Sequence, residues 1–212
     1  MNKKTTVRKA FTGDHVQQYD QKTLEANWLD PDIVFGLTYR YINPGESILD
    51  VGIGTGLSSI LFHRAGLEVH GLDFSSEMLE VCAQKSFTAS LTKHDVSAAP
   101  YPLKDNSVNH AVSTGLTHLF SNLETFFYEV HRIIKQDGVF SFVVADSEKV
   151  ESCVLSCQNN NNSKVKFHYH SQKDLNRLFQ ECGFEQLNSL KFSSSSIGRQ
   201  ERTYRAYVVQ KL

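Results

Sequence analysis

The chain has 212 residues and balances 22 basic against 23 acidic side chains, for a formal net charge of −1. That length suits one sizeable α/β domain, and the charge balance argues against a strongly basic nucleic-acid binder. The apolar runs are too short to span a bilayer, and the four cysteines are too few for a disulfide scaffold and fit a reducing cytosol.

Residues Met1–Thr6 are polar and read as a loose terminus, with no apolar signal region after the basic Met1-Asn2-Lys3-Lys4. From Phe11 to Tyr41 the pattern predicts helix. Val16, Tyr19, Leu24, Trp28 and Leu29 are its candidate inward positions, and Pro31 opens a new helix because proline is tolerated in a first turn. The next stretch, Ile48-Leu49-Asp50-Val51-Gly52-Ile53-Gly54-Thr55-Gly56-Leu57, reads as a buried strand running into a glycine turn and then a helix. Glycine there permits φ > 0 and lets a ligand approach the main chain. Leu57, Ile60, Leu61 and Ala65 recur at helical spacing, and Gly66 is the stop. Strand, turn and helix together form a nucleotide-binding element at the carboxyl edge of a parallel sheet. The spacing is G-x-G-x-G, not the dinucleotide pattern G-x-G-x-x-G. Asp50, two residues ahead of the first glycine, suits a cationic ligand group and disfavours a pyrophosphate.

Leu67–Asp73 is a second strand ending in an acid about 20 residues past the turn, the distance at which a carboxylate accepts from both ribose hydroxyls. Ser75 or Ser76 caps the following helix, with Glu77 in its first turn and Met78, Leu79 and Cys82 on one face. Phe87–His94 is a weak strand interrupted by polar residues, and Asp95-Val96 follows it. Val108–Ser113 is a fourth strand, leading into Thr114-Gly115-Leu116-Thr117-His118-Leu119. Leu123, Phe126, Phe127, Val130, Ile133 and Ile134 form a helical core stripe, with His131 beside it as a structural or exposed residue. Val139–Ala145 is a near-continuous apolar run, as in a strand covered on both faces. The polar, asparagine-rich 146–166 reads as a loop or poorly packed helix at the sheet's functional edge. The spacing of Cys153, Cys157, His168 and His170 fits none of the usual zinc patterns, so no metal is expected. Ser171 caps a helix bearing Leu175, Leu178, Phe179 and Cys182, closed by Gly183. Phe184–Phe192 and Thr203–Val209 are two final strands joined by the hairpin-like Ser193–Gly198.

Asp50 with three alternate glycines resembles motif I of the class I S-adenosylmethionine-dependent methyltransferases, written D/E-x-G-x-G-x-G. Asp73, Asp95 and the closing hairpin extend the resemblance from Tyr19 to the C-terminus. Ile53 is a mild departure from the small residue common there, Lys135-Gln136-Asp137-Gly138 replaces the family's Lys-Pro-Gly-Gly turn, and no Asn/Asp-Pro-Pro-Tyr/Phe motif of amino-methylating enzymes is present. The resemblance implies a doubly wound, mostly parallel seven-stranded α/β sheet with a C-terminal antiparallel hairpin. Residues 1–41 would form a helical lid and 42–212 the cofactor domain.

It further implies S-adenosyl-L-methionine as cofactor. Asp50 would sit near its amino-acid part, with Gly52, Gly54 and Gly56 accommodating the methionine portion. Asp73 would take the ribose, Phe74 and Met78 would border the adenine, and Asp95-Val96 would meet the adenine amino group. Thr114 would carry the main chain past the sulfonium. For Tyr19, matching the family's Tyr-Asp pair with Asp20, a cofactor contact and a core role both stand. Met78 as core and Asp95 as a turn residue are open in the same way. His118, by family position, and His15 in the lid are candidate bases, against surface or core placement for each. The activity implied is methylation of a small molecule by a cytoplasmic enzyme without membrane or nucleic-acid partner. The alternatives are a non-catalytic or partner-activated subunit, an RNA or protein methyltransferase, and, against the glycine spacing, a nicotinamide-dependent oxidoreductase.

Overall fold

A computed structural model describes residue 16 and residues 18–156, 164–195 and 201–212. The expectations for Met1–Thr6, His15, Cys157, Asn159–Asn162 and the tip of the closing hairpin lie outside those residues. Among the described residues no helix is long and apolar enough to cross a membrane.

Four parallel pairings build the sheet around β1 (Ser47–Val51). It is flanked by β2 (Glu68–Asp73) and β4 (His110–Ser113), with β3 (Thr88–Lys93) outside β2 and β5 (Val139–Ala145) outside β4. The chain then closes with β8 (Phe184–Ser195) and β9 (Glu201–Lys211), and β9 runs antiparallel between β5 and β8. The seven-stranded order is β3-β2-β1-β4-β5-β9-β8, a mostly parallel sheet closed by an antiparallel hairpin, as the resemblance implied. The weak signal for β3 has a physical cause: as an edge strand it is paired on one side only, and none of its six residues is fully buried.

Alternation along the strands sorts side chains into two layers. On β5, Phe140, Phe142 and Val144 enter one core and Val139, Val143 and Ala145 the other. The first core is closed by α5 (Glu124–Ile133) and α6 (Gln172–Cys182), through Phe126, Phe127, Val130, Leu175 and Phe179. The second is closed by α2 (Asp30–Thr38), α3 (Ser59–Arg64) and α4 (Ser76–Gln84), through Val34, Phe62, Leu79 and Cys82. A short α1 (Tyr19–Glu25) precedes them. α2 is fixed to the sheet by Thr38, whose hydroxyl bonds Ser141 Oγ at 2.7 Å. The caps fall where expected: Ser75 Oγ accepts from Met78 N, Ser171 Oγ accepts from Asp174 N, and Gly183 takes φ +76° after α6. In the turn before β5 it is Asp137 that takes positive φ (63°). Gly138 is needed for space, because a Cβ there would stand 2.2 Å from the Asn109 carbonyl oxygen.

Three expectations are corrected. The 146–166 stretch holds a hairpin, β6 (Ser152–Ser156) paired antiparallel to β7 (Lys164–His168). Its short alternation, Val165 and Phe167 inward between lysines, is drowned in the asparagine-rich composition. Leu24 points outward and is 75% exposed, because α1 buries none of its residues fully. The buried face of α3 is Ser59 and Phe62, while Leu57, Ile60, Leu61 and Ala65 are only half-buried.

Candidate functional site

The strand β1 delivers the glycine turn to the carboxyl edge of the sheet. Gly52 N and Ile53 N both donate to Leu72 O, at 2.8 and 3.0 Å, so the turn is tied across the end of β2. The three glycines do different work. A Cβ on Gly52 would stand 2.9 Å from Leu116 Cδ2, and one on Gly56 would stand 2.6 Å from Phe87 Cζ; both are close-packing sites. Gly54, at φ +54°, has nothing within 4 Å of its missing side chain and borders a cleft. That cleft measures about 560 Å³ including the solvent at its mouth.

Tyr19, Gly52, Gly54, Asp73, Phe74, Met78 and Thr114, all named from the sequence, line this cleft. Asp73 lies on its wall. Oδ2 accepts the Gly54 amide at 2.9 Å and Oδ1 the Ser75 amide at 2.8 Å. Burial raises the Asp73 pKa, against the pull of those amides and that of Phe74. The Ser58 and Thr114 hydroxyls bond each other on the wall. Tyr19 is pushed up to about 12 by burial and by the charges of Asp73 and Asp20, so its phenol keeps its proton.

Other expected residues lie off the wall. Asp50 is buried under the turn, where Ser59 Oγ donates to it at 2.5 Å; burial pushes it up to about 7. Gly56 packs on α4 through Cys82. Asp95 closes a local turn, accepting from Ser97 N at 3.1 Å and Ser97 Oγ at 2.6 Å, and Val96 is core. His118 is carried on the 3-10 turn Thr117–Leu119. The turn presents its neighbours Leu116 and Leu119 to the cleft and His118 to the hairpin, stacked on Phe167 at 4.5 Å. Burial, with the charges of His170, Arg202 and His168, drives it down to about 3, so it is neutral near pH 7 and a poor base. Among the described residues no three acid, histidine or cysteine side chains group to hold a metal.

Sequence reasoning missed Trp28 as a wall residue and Asp20 as an anchor. Asp20 Oδ1 accepts from Thr55 Oγ1 at 2.6 Å and Oδ2 pairs with Lys85 Nζ at 2.5 Å, while Lys85 also donates to Thr55 O at 2.7 Å. This three-residue clasp pins α1 onto the glycine turn. The Tyr19-Asp20 pair was its signal, but the partner Lys85 is 65 positions away and invisible to any local pattern.

Residues 49–142 match the family described as methyltransferase domain. The malonyl-[acyl-carrier protein] O-methyltransferase of Serratia marcescens is 30% identical over 100 residues, 47% of this chain and 38% of that protein. The chain spans less than half the length of the curated relatives that head the comparison. Among solved structures, a Methanosarcina mazei protein titled as a SAM-dependent methyltransferase superposes with a TM-score of 0.74 at 17% identity, over 83% of this chain and 97% of that one. A chain from the complex between the Haloferax volcanii Trm112 methyltransferase activator and a methyltransferase superposes with a TM-score of 0.71 at 18% identity, over 91% of this chain and 92% of that one. The structures establish the shared fold, and the family match falls on the strands and turn that build the cleft. With Asp73 and the bare Gly54 main chain on the lining of its cleft, the chain carries a match to the methyltransferase-domain family over residues 49–142 and has the Rossmann-like methyltransferase fold.

Proposed function

We propose that this chain transfers a methyl group from S-adenosyl-L-methionine to a small-molecule acceptor in the cytoplasm. The supporting observation is Gly54, whose main chain is open to the cleft with the Asp73 carboxylate 2.9 Å from its amide. The residues present fit the cofactor. Asp73 would accept from the ribose hydroxyls, Phe74 and Met78 would border the adenine, and the Gly52–Gly54 backbone would hold the methionine portion, all of them lining the cleft. When bound, the cofactor supplies a methyl group on a sulfonium that departs as a neutral thioether. The chain's own groups position and exclude water. Trp28, Leu116 and Leu119 give an apolar wall and Tyr19 of α1 lines the cleft; residues 1–41 would act as a lid over domain 42–212.

Among the described residues the titratable groups on the wall are Tyr19, which holds its proton, and Asp73, engaged by amides. A charge balance without basic excess favours a small molecule over RNA.

Calorimetric titration with S-adenosyl-L-methionine tests the reading. Gly54→Val, which fills the open side of the turn, is expected to lose at least about 100-fold in affinity while keeping its fold. Absence of heat from the folded wild type sinks the cofactor assignment. A partner-activated enzyme is the second reading, favoured by near-complete overlap with the chain solved beside an activator. Turnover appearing only when cell extract is added separates the two.

A further inference from the structure

Asp30 opens α2 and is 1% exposed, yet Oδ1 has no hydrogen-bond partner among the described residues. An unpaired buried carboxylate oxygen is costly. The groups that face this carboxyl are the Trp28 indole and the Ser194 hydroxyl of β8, together with the residue's own main-chain N–H. Ser194 Oγ also accepts the Leu29 amide at 3.2 Å, so the link between α1 and α2 is drawn onto the closing hairpin. Trp28 is the chain's single tryptophan and lines the cleft. Its ring fills the place a side chain would take on Gly115, Cζ2 lying 3.2 Å from that Cβ position. Asp30 is off the cleft lining and faces Trp28, which is on it.

We propose that Asp30 is a positioning residue: its ionised carboxylate gathers the Trp28 indole N–H and the Ser194 hydroxyl and holds the indole ring over Gly115 at the cleft wall. Charged acceptors bind such donors roughly twice as strongly as neutral ones, so protonation loosens the ring. Burial pushes the Asp30 pKa up to about 7, placing that change near neutrality. Among the described residues burial and these hydrogen bonds, not a neighbouring charge, set its shift; Tyr19, which feels its charge, stays protonated throughout. Asp50 is the second acid of similar pKa and is separated from Asp30 by variant.

Trp28 emission reports on this directly and needs no cofactor, so it stands apart from the functional reading. In wild type the emission is expected to change with pH around a midpoint near 7, and in Asp30→Asn that transition is lost. The dissociation constant for S-adenosylhomocysteine is expected to tighten severalfold from pH 5.5 to 8.5 in wild type. Asp30→Asn and Trp28→Phe each remove that part of the pH dependence, and the double variant removes no more than either alone. Two outcomes overturn the proposal. One is the same emission transition in wild type and Asp30→Asn. The other is a variant whose melting temperature moves while its affinity profile does not.

Discussion

The two ends of the same strands treat charge in opposite ways. At the amino edge, buried charges are partnered. His110 Nε2 meets Glu46 Oε2 at 2.9 Å, and its other ring nitrogen accepts the Val139 amide. Lys211 Nζ donates to Asn106 Oδ1, His131 O and Ile134 O at 2.7–2.9 Å. Arg132 ties Glu129 to Asp105. At the carboxyl edge Asp30, Asp50 and Asp73 are buried, and none bonds a cation among the described residues. All three are raised in pKa, with burial as the leading cause. The amino edge spends its electrostatics on holding the fold, as Asp146 does beyond the carboxyl end of β5 with Arg205 at 3.0 Å; the cleft keeps on its lining the Asp73 carboxylate, held by amides alone among the described residues, which suits a cationic ligand.

The largest expected effect breaks the cleft edge. Asp73→Ala removes the acceptor for ribose hydroxyls and frees the Gly54 and Ser75 amides. Cofactor affinity should fall by about 100-fold or more, since hydrogen bonds to a charged group contribute about 1.5–3 kcal/mol each. The Gly54 amide borders the cleft and regains water, while the Ser75 amide is left buried, so the melting temperature should drop by roughly 3–8 °C. Calorimetry and thermal unfolding on one preparation check both halves; equal affinity in wild type and variant ends the ribose role.

Lys211→Met is the mirror experiment. It leaves three oxygens unpaired, two of them helix-end carbonyls, and should cost on the order of 2–3 kcal/mol. For a chain of this size that is roughly 5–10 °C in melting temperature. Cofactor affinity should stay within about twofold. A large affinity loss with intact stability would show that the two edges are coupled.

The pH dependence follows from the same contrast. Asp50 and Asp30 sit near 7 folded against about 3.9 unfolded. The folded state holds more protons between those values, so stability from these groups is complete below about pH 4 and is lost as pH rises to about 7. Asp50→Asn escapes that loss. It should equal wild type near pH 4.5 and exceed it by on the order of 1 kcal/mol near pH 8, read by urea unfolding at both pH values. An advantage greater at the acid end reverses the sign and removes burial as the cause.

Legibility followed the range of the interactions. The strands and the glycine turn were readable because alternation, capping and spacing are local, and Ser75, Ser171 and Gly183 each announced an end of a helix. The wall residues Asp73, Phe74 and Met78 were readable because the end of β2 and the first turn of α4 after it carry them all. His118 misled because family position fixes its place in the chain but not the side of the turn it faces; Leu116 and Leu119 take the cleft side. The hairpin β6–β7 was hidden by composition. Asp30 and Asp20 were hidden because their partners, Ser194 and Lys85, come from distant elements.

Asp20 is the acid at the cleft edge that does meet a cation, and it sharpens the comparison most finely. Its pair with Lys85 is part-exposed, 30% and 25% of the two side chains, so it adds little stability, about 1 kcal/mol at most. It joins α1 to the turn rather than stapling one element to itself, so its effect should be on lid opening. Asp20→Ala should shift the melting temperature by no more than about 3 °C and weaken cofactor binding by about three- to tenfold. The loss should lie in faster dissociation, with the association rate nearly unchanged. Stopped-flow quenching of Trp28 by the cofactor resolves the two rates. A slower association with unaltered dissociation would mean that α1 guides entry instead of retaining what has entered.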